Sequence, residues 1–224
     1  MPHPIPYLPA KDQAAAVATR IQIPHDPVLS ALHRWSRETA QHVHALAELA
    51  AHLGRLAAVP ASEIPLLARS ARLHDIGKLG VSWNILQKAG PLTPRERSAM
   101  EVHTTIGWHL LSSRRRPGAQ VAARVALEHH ERWDGGGYPQ GLWKDSTHLF
   151  SRITAICDVF DALSRTRVYR QAWSLQRIVD HLESNREKHF DPALLDLFIA
   201  NIEDFLDIRH PDRQPASAAT TPTE

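Results

Sequence analysis

An all-α domain is the fold this sequence predicts. Apolar residues recur at helical spacing through most of the chain, helix start and stop signals punctuate that periodicity, and no stretch alternates apolar and polar residues as a half-buried strand would. The pattern divides into about seven helices.

The first, over about residues 26–53, brings Leu29, Leu32, Ala40, Val43, Leu46 and Leu49 to helical spacing, and Gly54 reads as its stop. A second runs over about residues 62–75 and is broken by Gly77 and Gly80, which leaves the pair His74-Asp75 at a helix end. Thr93-Pro94-Arg95-Glu96 combines an N-cap, a first-turn proline and a capping-box glutamate; the apolar positions after it run to about Leu111, with His103 inside the helix. The next helix, over about residues 118–131, carries His129-His130 at its C-terminal end. It leads into a glycine-rich loop reaching Pro139, where backbone amides can approach something closely. Residues 153–163 are apolar enough to be a buried helix, another spans about residues 174–188, and Asp191-Pro192 caps a last one ending near Phe205. Proline crowds the first nine residues and returns in the tail from Pro211 among Ser, Ala and Thr, so both ends are expected to be disordered. The expected organisation is an extension over residues 1–25, one domain over 26–208 and a tail over 209–224.

The bulk numbers narrow the chemistry. A chain of 224 residues holds one substantial domain with a buried core. Its formal charge of +2 gives no general field for nucleic acid or anionic membrane, so neither is an expected partner and any phosphate preference must come from a site. A single cysteine, Cys157, excludes an internal disulfide, and fifteen histidines against one thiol turn any metal argument towards imidazole and carboxylate ligands. Zinc fingers and iron-sulfur clusters are excluded, and Cys157 reads as a small core residue. The N-terminus lacks a basic start followed by an apolar run, and no segment approaches the length of a membrane span, so a cytoplasmic protein is expected.

Several residues could carry chemistry. Glu38 and His42 are four apart and share a helix face, enough to hold one ion between them, although such pairs are common on exposed helices. His44 points elsewhere and reads as a surface residue. Adjacent His74 and Asp75 at a helix end can both turn inward, the imidazole to one metal and the carboxylate as a bridge. Lys78, one turn on, would stand beside a bound phosphate, or would merely complement the helix dipole. His103 alone is more often packed or exposed than ligating, and His109 falls on another face. Two adjacent imidazoles at His129 and His130, beside a glycine-rich loop with Tyr138, seldom arise for packing alone; Glu131 is expected to orient one of them. Asp158 and Asp161 sit three apart in a segment otherwise fit for core, where a carboxylate is costly unless paired or bound to metal, and spacing leaves the choice between them open. Arg165, Arg167 and Arg170, with Tyr169, form either a solvated basic turn or a fork of guanidiniums for a phosphate or guanine edge.

With these residues assembled, the chain resembles the HD-GYP family, a subgroup of the HD superfamily of metal-dependent phosphohydrolases. The resemblance covers about residues 35–206. HDIGK at His74 to Lys78, the histidine of MEVHTTIG at His103, HHERWDGGGYPQGL from His129, ICDVFDALSRTRVYR from Ile156 and HFDP from His189 carry it, in the family's order. It implies an HD-superfamily helical domain with a glycine-rich GYP loop and hydrolysis of the bacterial second messenger cyclic di-GMP to pGpG and onward to GMP. It also implies two or three divalent ions, iron or manganese, that activate a water.

Carried over position by position, the resemblance assigns metal ligation to His42, His74, Asp75, His103, His129, His130 and Asp158, choosing Asp158 over Asp161. Glu38 matches a carboxylate of members with three metals. Asp75 and Lys78 take the catalytic positions; Lys78, Gly137, Tyr138, Arg167 and Arg170 match positions that contact the dinucleotide. Three departures bear on substrate orientation and loop geometry: Ala45 where an arginine is frequent, the missing Ile-Pro in residues 143–150, and Arg170 where some members carry lysine. Two other functions fit the same motifs. One is a cyclic-dinucleotide-binding or protein-interaction module that meets a diguanylate cyclase (GGDEF) protein through the GYP loop; the other is a phosphodiesterase for hybrid cyclic GMP-AMP. With about 25 residues ahead of the first helix, regulation is expected from a partner or from metal supply.

Overall fold

A computed structural model describes residues 40–113, 118–165 and 171–210. Helix α1 (Ala40–Leu56) packs against α2 (Ile64–Arg72) and against α7 (Leu149–Ser164), which also touch each other. Between α2 and α7 lie a 3-10 turn (Ile76–Gly80), the one-turn α3 (Trp83–Leu86), α4 (Pro94–Glu101), α5 (His103–Ser112) and α6 (Ala119–Glu128). After α7 come α8 (Leu175–Ser184), α9 (Pro192–Ala200) and α10 (Ile202–Arg209). Among the described residues there is no strand; pairing outside the helices is confined to isolated bridges, Asp134 with Trp143 and Arg186 with Phe190. No described helix is long and apolar enough to cross a membrane.

The main core is where the faces of α1, α2 and α7 meet: Leu46, Leu49 and Leu53 interdigitate with Leu67, Ile153, Ile156 and Phe160, and Phe198 and Phe205 close it from α9 and α10. A smaller cluster of Ile76, Leu111, Ala122, Ala123 and Ala126 holds the 3-10 turn against α5 and α6. Burial of each large side chain contributes about 1.5–3 kcal/mol, so these two clusters fix the helices on which the polar site is built.

Several boundaries differ from expectation for identifiable reasons. Gly54 does not stop α1; it lies within the helix because a Cβ there would come 2.5 Å from Leu67 Cδ2, so the glycine serves the approach of α2, and the chain turns at Ala58 with φ 56°. The expected capping box is present at Thr93, whose hydroxyl accepts from the Glu96 amide while Glu96 accepts from the Thr93 amide. That helix is broken at Val102, which places His103 at the start of α5 rather than mid-helix. The last expected helix is likewise broken at Asn201, and its second part continues to Arg209.

Candidate metal centre

Two helix ends, one helix start and two helix interiors direct polar side chains into one place. α2 ends at Arg72, so His74 and Asp75 lie in the tight turn between it and the 3-10 turn, both buried. α6 ends at Glu128, making His129 its C-cap and bringing His130 beside it. His103 comes from the first residue of α5, His42 from α1 and Asp158 from α7. The donor atoms fall into two groups, Asp75 with His103, His129 and His130, and His42 with His74 and Asp158. Within each group the donor atoms all lie within 4.8 Å of one another.

Asp75 stands between the groups. Its Oδ1 is 3.1 Å from His103 Nε2 and 3.7 Å from His129 Nε2, while its Oδ2 is 3.0 Å from His74 Nε2 and also meets Lys78 Nζ. Asp158 Oδ1 lies 3.9 Å from both His42 Nε2 and His74 Nε2. One carboxylate thus faces both sets of imidazoles, the arrangement a bridging ligand requires.

The histidines are oriented from behind. His74 Nδ1 donates to Ala71 O at 2.8 Å, His103 Nδ1 to Met100 O at 2.7 Å, and His129 Nδ1 to Ala126 O at 3.0 Å. A carbonyl oxygen can only accept, so each Nδ1 carries a proton, and each ring in its neutral form presents its Nε2 lone pair to the centre. His42 is held in the same sense by a carboxylate, with Nδ1 2.5 Å from Asp161 Oδ2. The consequence is clearest at His103 and His129, whose Nε2 atoms face each other at 3.3 Å with a carboxylate oxygen beside them. Converging acceptors of this kind repel unless a cation lies among them, so the donor set fits a divalent metal of the kind that takes imidazole and carboxylate ligands.

The electrostatics agree. Burial, opposed by Asp75 and reinforced by His74 and His103, pushes His129 down to about 4; burial and the neighbouring His129 and His103 put His130 well below the usual histidine value. Both rings are therefore neutral at pH 7 and able to ligate. Burial would raise the Asp75 carboxyl, but Lys78 and the imidazoles gathered around it prevail and hold it well below the ordinary range.

The glycine-rich loop folds over the group that contains His130. Tyr138 stacks on the His130 ring, with centroids 4.8 Å apart and planes inclined by 28°, and its amide donates to His130 O at 3.2 Å. Gly137 is pressed against the backbone it follows: a Cβ there would lie 2.5 Å from Arg132 N and Glu131 Cα. Gly77 is under the same constraint, since its Cβ would come 1.8 Å from His103 O and 2.5 Å from Gly107 N.

Glu131, expected to orient an imidazole, does something else. Its Oε1 accepts from the Gln140 amide at 2.7 Å and its Oε2 from the Leu142 amide at 2.9 Å, because the chain turns away after His130 and returns over the carboxylate. Glu128 does the corresponding work for α7, accepting from the His148 amide at 2.7 Å and from Ser151 Oγ at 3.2 Å. These two buried glutamates bracket the histidine pair and tie it to the loop and to the helix that carries Asp158. Replacing Glu131 with alanine leaves two loop amides without their acceptor and should lower stability by about 2 kcal/mol, read as a smaller urea midpoint at unchanged slope.

The seven expected ligands therefore meet in one place. Glu38, Arg167 and Arg170 lie outside the described residues. Asp161, left open against Asp158, faces away from the two groups and holds His42 from behind, and Arg165 turns inward to it, Nε to Oδ2 at 2.9 Å. His44 is exposed, as expected, and meets Arg72; His109 is exposed and takes no part in either group. Glu128 went unremarked in the sequence, although its position immediately before the double histidine was a signal that a second carboxylate shares that helix end.

Known proteins share this design. The HD domain family profile matches residues 25–194. The 3'3'-cGAMP-specific phosphodiesterase 2 of Vibrio cholerae is 37% identical over 180 residues, which cover 80% of this chain and 34% of that protein. A cyclic di-GMP phosphodiesterase of Thermotoga maritima is 35% identical over 171 residues, 76% of this chain and 46% of that protein. The chain thus spans less than half the length of these curated relatives. Among solved structures, the HD domain of the L. monocytogenes phosphodiesterase PgpH superimposes with a TM-score of 0.60 at 18% identity, covering 85% of this chain and all of that one. An HD-GYP-type protein of Bdellovibrio bacteriovorus gives 0.59 at 16%, covering 87% and 61%; at these identities both comparisons speak for the fold. Helical architecture, converging histidines and a profile match across most of the sequence agree: the chain belongs to the HD domain family.

Proposed function

We propose that this chain is a metal-dependent phosphodiesterase that hydrolyses cyclic di-GMP to pGpG, GMP or both, in bacterial second-messenger signalling. The observation that carries the proposal is the placement of Asp75, with one oxygen towards each group of donors. His42, His74 and Asp158 would hold one divalent ion and His103, His129 and His130 another, with Asp75 shared between them; Glu38 is the candidate for a third. Iron or manganese suits a donor set of imidazole and carboxylate without thiolate. Ions held there supply Lewis acidity and an activated water for attack on phosphorus.

The chain's own residues do the rest. The carbonyl-bound and Asp161-bound histidines keep their tautomers fixed, so no reorganisation accompanies the reaction. Lys78, beside Asp75, would stabilise charge that develops on the phosphoryl oxygens and would hold a proton at Nζ within reach of the departing ribose oxygen. Gly137, Tyr138, Arg167 and Arg170 are proposed to receive the dinucleotide, and the GYP loop is the surface proposed for a diguanylate cyclase partner. A cytoplasmic location goes with that substrate.

The 37% identity to a 3'3'-cGAMP-specific enzyme favours a second reading, in which the hybrid cyclic dinucleotide is the preferred substrate. Side-by-side rates on the two dinucleotides, followed by chromatography, decide between them; turnover of neither by metal-loaded protein would reject both. Lys78→Ala should lower kcat by about 10²-fold while dinucleotide affinity, measured by calorimetry, changes far less. Equal losses in the two would assign Lys78 to binding alone.

A further inference from the structure

Asp161 is fully buried and is gripped on both oxygens. Its Oδ2 meets His42 Nδ1 at 2.5 Å and Arg165 Nε at 2.9 Å; its Oδ1 meets Arg209 Nε at 2.7 Å. The two arginine contacts are ion pairs whose N–H groups are not aimed along the N–O lines, so they fix the position of the carboxylate by charge, while the proton on its other side belongs to His42. Arg209 is itself buried, at 7% exposure, and is the last residue of α10. That helix is anchored on α1 by a second contact, His52 with Asp204 at 3.3 Å and with the Phe205 ring at 4.8 Å between centroids. Arg209 also lies beyond residues 25–194, the part matched by the family profile.

A carboxylate buried against one imidazole can rotate unless its second oxygen is also held, and rotation here would turn His42 Nε2 away from Asp158. We propose that Arg209 is a positioning residue for the metal centre, acting through Asp161 to aim His42. Helix α10 is then part of the site's rear wall rather than only packing. This rests on the metal-centre reading above, in which His42 is a ligand.

The test measures metal affinity of the apo protein, by Mn²⁺ titration against a competing chelator, with apo thermal melts run in parallel. Arg209→Met should weaken Mn²⁺ binding about 10-fold or more, with Arg209→Lys restoring part of the loss, and Asp161→Asn should fall within the 10- to 100-fold range of supporting residues. Because Arg209 acts through the carboxylate, Asp161→Asn/Arg209→Met should bind Mn²⁺ as well as Asp161→Asn alone. Where Arg209→Met alone does not fold, Arg209→Gln takes its place, removing the charge while keeping a polar side chain, and unchanged Mn²⁺ affinity there likewise overturns the inference. Unchanged affinity in Arg209→Met, or a further 10-fold loss in the double variant over Asp161→Asn, overturns the inference while leaving the metal centre intact. Wild-type protein that takes up no Mn²⁺ overturns the metal centre and the inference with it.

Discussion

Asp75→Ala is expected to abolish phosphodiester turnover, by at least about 10³-fold, equivalent to roughly 4 kcal/mol of barrier, and to lower metal content at both groups together. Each Asp75 oxygen faces a different set of imidazoles, so one substitution removes a donor from both. It also removes the negative charge against which four histidines and Lys78 are gathered, leaving lone pairs that converge on nothing. Elemental analysis and chromatography on the same preparation check this, with circular dichroism to show that the helices persist. Loss of metal from one group alone would show that Asp75 serves only that group. Asp158→Ala is the contrast, because Asp158 faces His42 and His74 only; there the group of His103, His129 and His130 should keep its ion.

Gly77→Ala is the other large effect, and it is one of packing. A Cβ would lie 1.8 Å from His103 O and 2.5 Å from Gly107 N, and both obstacles are backbone that cannot rotate aside. The 3-10 turn and α5 must therefore separate. Overpacking usually costs 1–3 kcal/mol, and this site belongs at or above the top of that range, about 3 kcal/mol. The separation carries His103 away from Asp75 Oδ1, now 3.1 Å distant, and a shift of about 1 Å at a reacting centre can cost 10²-fold in rate. Urea unfolding and steady-state kinetics should both move. A variant that keeps wild-type stability but loses activity would place the role of Gly77 on the substrate side.

The candidate ligands were legible because their chemistry constrains local sequence. A His-Asp pair at a helix end and two adjacent histidines before glycines are hard to explain by packing, and resemblance then ranked Asp158 above Asp161. The supporting layer was less legible. Nothing in the spacing shows that Asp161 faces His42, 119 residues away, or that Arg209 reaches the same carboxylate from another helix. Those contacts follow from how α1, α7 and α10 pack. Glu131 illustrates a different limit: a carboxylate beside two histidines suggests a partner for an imidazole, but two returning loop amides lie closer. The glycines divide in the same way. Gly54, read as a stop, is a packing notch for Leu67, whereas Gly77 and Gly137 mark close backbone approaches that only the folded chain displays.

The metal centre proposed here joins two donor groups through Asp75 and cleaves a cyclic dinucleotide. It is tested most directly by purifying the chain anaerobically, loading it with iron or with manganese, and measuring metal content and cyclic di-GMP turnover on one sample. At least two metal equivalents per chain are expected, with conversion of cyclic di-GMP to pGpG or GMP that a chelator abolishes. Metal-replete protein that binds the dinucleotide and leaves it intact with either metal would contradict it.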